Sequence, residues 1–141
     1  MNYKQLLNRT NLKATPQRLR LLEILGERGH MTIDAIYQTL KVEAPMLSLS
    51  TVYNNLATLC EKQIIREVSF AGASQVYELS RGEHAHLICK HCGEILDIAA
   101  DYNAIKKTLI LPAGTVLLEG DLIFSGACAK CAKAIEYVEV A

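Results

Sequence analysis

Four cysteines and a small cluster of histidines carry the chemistry of this sequence. The stretch His84–Gly93, HAHLICKHCG, holds three of the four histidines and two of the five cysteines, and a second pair, Cys128 and Cys131 in CAKC, follows near the C-terminus. A Cys-x-x-Cys turn lets two thiolates reach one ion, and two such turns complete the sulfur tetrahedron that structural zinc prefers. Cys89, Cys92, Cys128 and Cys131 therefore read as one closed zinc site. Two disulfides or four buried thiols would be the alternative, but nothing in the chain suggests export to an oxidising compartment.

Zinc on sulfur leaves His84 and His86 unexplained. Residues two apart on a strand point to the same side, so these two imidazoles are offered together. Glu78 closes the preceding hairpin, Asp97 ends the next strand, and His30 lies in a loop at a helix start. Two or three imidazoles with one or two carboxylates make a mixed nitrogen and oxygen site suited to iron(II), manganese(II) or zinc. Such a site would tie the two halves of the chain together.

The elements that must position these groups follow from pattern. A short amphipathic helix over residues 3–8 offers Tyr3, Leu6 and Leu7 to a core. Thr15-Pro16 reads as a cap followed by proline at the first helical position, opening a helix over PQRLRLLEILGE that Gly26 and Gly29 end, with Leu19, Leu22 and Ile24 or Leu25 inward. Thr32 caps a third helix with Ile33, Ile36, Tyr37 and Leu40 as its apolar stripe, and Pro45 marks the break after it. Ser48 or Ser50 caps a fourth, whose Val52, Leu56, Leu59 and Cys60 share one face. Its opposite face is uncharged: Ser50, Thr51, Tyr53, Asn54, Asn55 and Thr58 are short hydrogen-bonding groups suited to base edges and phosphates in a major groove. Alternating runs at Ile65–Phe70 and Gln75–Leu79 flank a turn at AGAS.

Helix, helix, helix, hairpin is the order of a winged helix-turn-helix, with Ser50–Lys62 as recognition helix. The fold class is thus α+β: a winged-helix domain over 1–80, a hinge at 81–83, and a small αβ domain over 84–141. In that second domain, strands are expected at Ala85–Ile88, Glu94–Ile98 and Thr115–Phe124. A helix is expected at Asp101–Leu111 with Ala104, Ile105 and Leu109 inward, and a short helix after the second cysteine pair. This half has little core of its own, which zinc and pairing with a second copy would both remedy.

Net charge is zero, from 15 Lys/Arg and 15 Asp/Glu, yet residues 1–66 hold nine basic against five acidic groups and residues 67–141 six against ten. A basic first half suits a polyanion, with Lys13, Arg18 and Arg20 as phosphate contacts, and an acidic second half suits cations. No apolar run approaches the ~20 residues of a membrane span, and MNYKQLLNRT is too polar for a signal peptide, so a cytoplasmic protein is expected.

ATPQR at Ala14–Arg18, STVYNNL at Ser50–Leu56, HAHLICKHCG and CAKC, in that order, resemble the ferric uptake regulator family of bacterial metal-responsive repressors. The resemblance covers nearly the whole chain. It implies a homodimer on an inverted-repeat double-stranded DNA operator, structural zinc on the four cysteines, and His30, Glu78, His84, His86 and Asp97 at the family's regulatory-metal positions. Asp97 and TVYNNL are similar to the peroxide-sensing branch, whereas Glu78 is the residue of an iron sensor; LLEGDLIFSG lacks the histidine of a third site that iron sensors often carry. For the peroxide branch the resemblance implies oxidation of a ligand histidine, with His30 and His84 the matching residues. His91 matches no ligand and is expected to be exposed. A zinc deaminase needs glutamate two residues after its ligand histidine; after His84 that position is His86, and after His86 it is Ile88. A zinc-ribbon protein-interaction module, which metal-independent DNA binding would favour, explains the cysteines but neither the winged helix nor the histidine pair.

Overall fold

The structure, a computed structural model, describes residues 2–70, 74–118 and 120–134. They divide into two compact units, Met1–Ser80 and Arg81–Ala141.

The first unit builds α1 (Tyr3–Arg9), α2 (Pro16–Arg28), α3 (Ile33–Glu43), α4 (Leu49–Glu61) and the antiparallel hairpin β1 (Ile65–Val68) with β2 (Val76–Leu79). Each helix starts where a side-chain oxygen satisfies an orphan amide: Thr15 accepts from the Arg18 N–H, Thr32 from that of Ala35, and Ser48 from that of Thr51. Ser48 is thus the cap of α4. The turn at AGAS falls largely outside the described residues.

One face of each helix enters a shared core of Leu7, Leu21, Leu22, Ile24, Leu25, Ile36, Leu40, Val52, Leu56 and Leu59, floored by Ile64, Ile65 and Leu79. Leu21 joins this core although the expected stripe omitted it, while Leu19 is only half-buried. Gly26 does not end α2. It lies inside the helix because the Tyr3 phenol packs where a Cβ would stand. The helix ends at Gly29, whose φ of 82° favours glycine.

A further pairing was not expected. Met31 and Tyr77 form an isolated antiparallel bridge, with Met31 N–H donating to Tyr77 O at 3.1 Å and Tyr77 N–H to Met31 O at 2.8 Å. It anchors the start of α3 to β2.

The second unit is a three-stranded sheet of order β4–β3–β5, with β3 (His84–Cys89) antiparallel to β4 (Ile95–Ala99) and parallel to β5 (Ile123–Gly126), plus α5 (Tyr102–Thr108) and α6 (Ala129–Ala134). Three expectations need correction. The strand expected at Thr115–Phe124 is confined to Ile123–Gly126, because β3 offers a ladder only from His86 to Cys89 and residues 115–118 find no strand partner. The helix expected to reach Leu111 stops at Thr108, where Leu109 turns extended three residues before Pro112. Ala104 and Leu109 are exposed and Ile105 half-buried, because the unit has no core for them to enter. Finally, the terminal helix begins between the two cysteines, so Cys131 lies on it. No helix among the described residues is long and apolar enough to cross a membrane.

Candidate metal centres and nucleic-acid face

Parallel pairing explains how cysteines 36 residues apart meet. Cys89 ends β3 opposite Gly126, which ends β5, so both Cys-x-x-Cys turns leave the same end of the sheet. The Lys90 N–H donates to Gly126 O at 2.9 Å, and the Gly93 N–H to Cys89 O at 2.9 Å, closing the first turn. One sulfur of each of Cys89, Cys92, Cys128 and Cys131 lies within 4.8 Å of the others, and Cys92 Sγ stands 3.7 Å from Cys128 Sγ. None of the five cysteines is in a disulfide. A tetrahedron with Zn–S bonds of about 2.3 Å has edges of about 3.8 Å, so the four sulfurs fit zinc.

The thiols are electrically unequal. Backbone N–H groups of Cys128 and then Cys92 pull Cys89 down to about 5, so it is already a thiolate at neutral pH. Cys131 is pushed up to about 12 by its hydrogen bond with Cys128 and by burial. Cys92 is also raised: the Glu94 backbone pulls the other way, but the Cys89 sulfur and burial outweigh it. A thiolate at Cys89 at rest, with Cys92 and Cys131 ionising only when a cation arrives, is the behaviour of a ligand set.

The second donor set is present as two parts, one in each unit. In the first, the Met31–Tyr77 bridge brings His30 beside Glu78, and His30 Nε2 lies 2.9 Å from Glu78 Oε2. Glu78 is fully buried, and its other oxygen, Oε1, lies 3.2 Å from Arg66 Nε in an ion pair; Arg66 is its direct cross-strand partner. In the second unit, His84 and His86 share one face of β3 with Nε2 atoms 3.1 Å apart. Asp97, cross-strand from His86, places Oδ1 3.6 Å from His84 Nε2 and 3.7 Å from His86 Nε2. Its Oδ2 accepts from Arg81 at 2.6 Å. The His84 Nδ1 faces the Arg81 and Gly82 carbonyls at 3.2 and 3.1 Å, which turns Nε2 toward His86 and Asp97. Donor separations around an ion with bonds of about 2.1 Å run to about 3.0–3.4 Å; the His30–Glu78 and His84–His86 pairs are near that spacing, Asp97 stands slightly wider, and both parts have the hardness of ligands for a first-row dication. His91 is exposed and joins neither set.

On α4, Ser50, Tyr53 and Asn54 are exposed and Thr51, Asn55 and Thr58 half-buried, opposite the buried Val52, Leu56 and Leu59. Cys60, half-buried, packs against the core. Arg18 Nε donates to Asn55 Oδ1 at 3.2 Å and its NH1 to Lys13 O at 3.1 Å, fixing the start of α2 to the outer side of α4. Arg20 is instead held by Glu43, through Nε at 3.1 and 3.0 Å, and by Glu23 at 3.1 Å. Lys13 is exposed. Sequence reasoning missed Arg66 and Arg81; the cross-strand position of Arg66 opposite Glu78 was the available signal.

Four helices leading into a hairpin, followed by a sheet that gathers four cysteines, define a winged-helix protein with a metal-binding αβ unit. Residues 9–121 match the model of the ferric uptake regulator family, and the chain belongs to that family. It is therefore a transcription regulator rather than an enzyme. It is 34% identical over 131 residues to the peroxide operon regulator of Bacillus subtilis (strain 168), covering 90% of this chain and 89% of that protein. Among solved structures it is similar to the Campylobacter jejuni peroxide stress regulator, with TM-score 0.67 and 34% identity over 93% of this chain and 100% of the other. It is also similar to the Vibrio cholerae ferric uptake regulator, whose DNA-binding domains are described as rearranged, with TM-score 0.70 and 29% identity over 90% and 100%.

Proposed function

We propose that this chain is a metal-dependent DNA-binding repressor that releases its operator when peroxide oxidises its regulatory site. The observation that carries the reading is the paired imidazoles of His84 and His86 with Asp97 on one sheet face, in a chain 34% identical to a peroxide operon regulator over nine-tenths of its length.

Structural zinc sits on Cys89, Cys92, Cys128 and Cys131. His30 and Glu78 from the winged-helix unit join His84, His86 and Asp97 from the other to hold one iron(II) or manganese(II), with Arg81–Glu83 as hinge. An ion that needs ligands from both units binds only the hinge angle that supplies them, and it shifts the population by its differential affinity. Iron(II), when bound, would activate peroxide for O–O cleavage; one peroxide oxygen would be inserted into an imidazole C–H bond of His30 or His84, whose two electrons reduce the other oxygen to water. Loss of an imidazole donor then frees the hinge.

DNA is read by Ser50, Thr51, Tyr53, Asn54, Asn55 and Thr58 of α4, with Lys13, Arg18 and Arg20 on phosphates; Arg20 must exchange Glu43 for a phosphate to do so. A second copy pairs through the αβ unit, whose Ile110, Val116, Leu118 and Phe124 are exposed, and the dimer spans an inverted repeat in the cytoplasm. Half-sites one helical turn apart make the hinge angle decisive.

Zinc-loaded protein reconstituted with iron(II) and treated with low peroxide provides the test. Oxygen added to the His30 or His84 peptide by mass spectrometry, with parallel loss of DNA binding, is expected. Unmodified histidines with DNA binding intact would instead leave a metal-level sensor, the reading that Glu78 favours.

A further inference from the structure

Both parts of the regulatory donor set share a feature that the metal reading does not use. Each carboxylate stands between an imidazole and a guanidinium: Glu78 turns Oε2 toward His30 and Oε1 toward Arg66, and Asp97 turns Oδ1 toward His84 and His86 and accepts from Arg81 on Oδ2. The arrangement arises separately in each unit. Arg66 reaches Glu78 as its cross-strand partner in the β1–β2 hairpin, whereas Arg81 reaches Asp97 from the segment that leads into β3.

We propose that Arg66 and Arg81 are positioning residues that set the affinity of the regulatory site, holding it weaker than its five donors alone would make it. This rests on Glu78 and Asp97 being ligands of that ion. Two effects act in the same direction. A guanidinium in an ion pair with a ligand carboxylate places a fixed positive charge within a few ångströms of a dication, and arginine does not shed that charge. At Asp97 the guanidinium also occupies the second oxygen through the Arg81 hydrogen bond, so that carboxylate can offer the ion only one.

Orientation works in the opposite sense, since a partner that fixes a ligand normally strengthens binding. Here that benefit is small, because the strand registers already place Glu78 opposite Arg66 and Asp97 opposite His86, and Glu78 is fully buried. Charge therefore wins at both arginines, the freed Asp97 oxygen adds to it at Arg81, and neutralising either arginine tightens the site. A sensor benefits from that setting, because an ion held too tightly would not be released as its concentration falls.

Manganese(II) is the probe, since the spectrum of the free aqueous ion is lost on binding and reports the dissociation constant by electron paramagnetic resonance. The zinc-loaded full chain is titrated as parent, Arg66→Met, Arg81→Gln, Arg66→Lys and Arg81→Lys, with Glu78→Ala and Asp97→Ala as controls. Each neutral variant is expected to bind manganese about tenfold more tightly, and each lysine variant to stay near the parent. Damage to the fold weakens a site, so tightening is a result that a purely structural role for these arginines cannot produce. Arg81 is half-exposed, and Arg81→Gln carries the test should Arg66→Met fail to fold. Neutral variants that bind equally or more weakly, while the alanine controls lose affinity, would overturn the proposal and leave the site intact. Alanine controls that bind like the parent would overturn the site itself.

Discussion

The two units of this chain are stabilised by different physics. The winged-helix unit buries aliphatic side chains from all four helices, with Leu7, Leu22, Ile36 and Leu59 fully out of water. In the αβ unit the buried apolar residues among those described are Ala85, Cys89 and Cys128, and its other buried side chains are His84 and His86. Its large apolar groups face outward: Ile110 is 98% exposed and Phe124 52%. One unit is built from hydrophobic area, the other from ligands awaiting an ion and a surface awaiting a partner. The difference suits a sensor. A reading head should keep its shape whether or not metal is present, whereas the unit that reports metal must depend on it.

Stripping zinc should break this contrast most visibly. Structural zinc in small sites contributes on the order of 10 kcal/mol, more than a domain of this size can replace. Cys128→Ser or chelation is expected to unfold the αβ unit and leave the first unit folded, read as loss of hydrogen-exchange protection in β3–β5 with protection retained in α2 and α4. Uniform loss across both units would erase the distinction.

Leu56→Ala applies the converse perturbation. Truncating this buried leucine should cost about 3 kcal/mol by the usual cavity effect, measured by urea unfolding, with zinc content per chain unchanged by elemental analysis.

Acidification discriminates more finely. Cys89, held near 5, is ionised at neutral pH, whereas Cys92 and Cys131 are held above the ordinary thiol range and must each release a proton to bind. Zinc affinity should therefore fall with falling pH, by at least about a hundredfold per unit between pH 8 and 6 from these two protons, as competition titration with a chromophoric chelator would record. The first unit's urea midpoint should change far less over that range.

Removing one cap should produce the smallest effect. Thr15→Ala exposes the amide that Arg18 presents at the start of α2 and should cost about 1 kcal/mol, seen as a lower urea midpoint with an unchanged m-value.

Much of the first unit is legible in its sequence because helix signals are local. Thr15-Pro16 announces α2, Thr32 announces α3, and the apolar spacing of Val52, Leu56 and Leu59 shows which side of α4 faces the core. The position of Gly26 was not legible as helix interior, since nothing near it in the chain reveals that Tyr3 will pack against it. In the second unit the strand at Ile123–Gly126 was misplaced for the same kind of reason. A strand exists where a partner offers a ladder, and β-branched content alone does not say where that partner ends.

The sequence by itself determined which atoms this protein can offer: four thiols in two Cys-x-x-Cys turns, two imidazoles on one strand face, and an uncharged helix face. Residue type and short-range spacing are enough for that, because turns and strand alternation act over a few residues. Tertiary structure alone decided which of those atoms meet. Parallel pairing of β3 with β5 brings the two cysteine turns to one end of a sheet, the Met31–Tyr77 bridge sets His30 beside Glu78, and the hairpin and sheet registers give Glu78 and Asp97 an arginine each. These meetings join residues 12 to 48 positions apart, and only long-range backbone pairing, which leaves no periodic trace in the chain, brings them about.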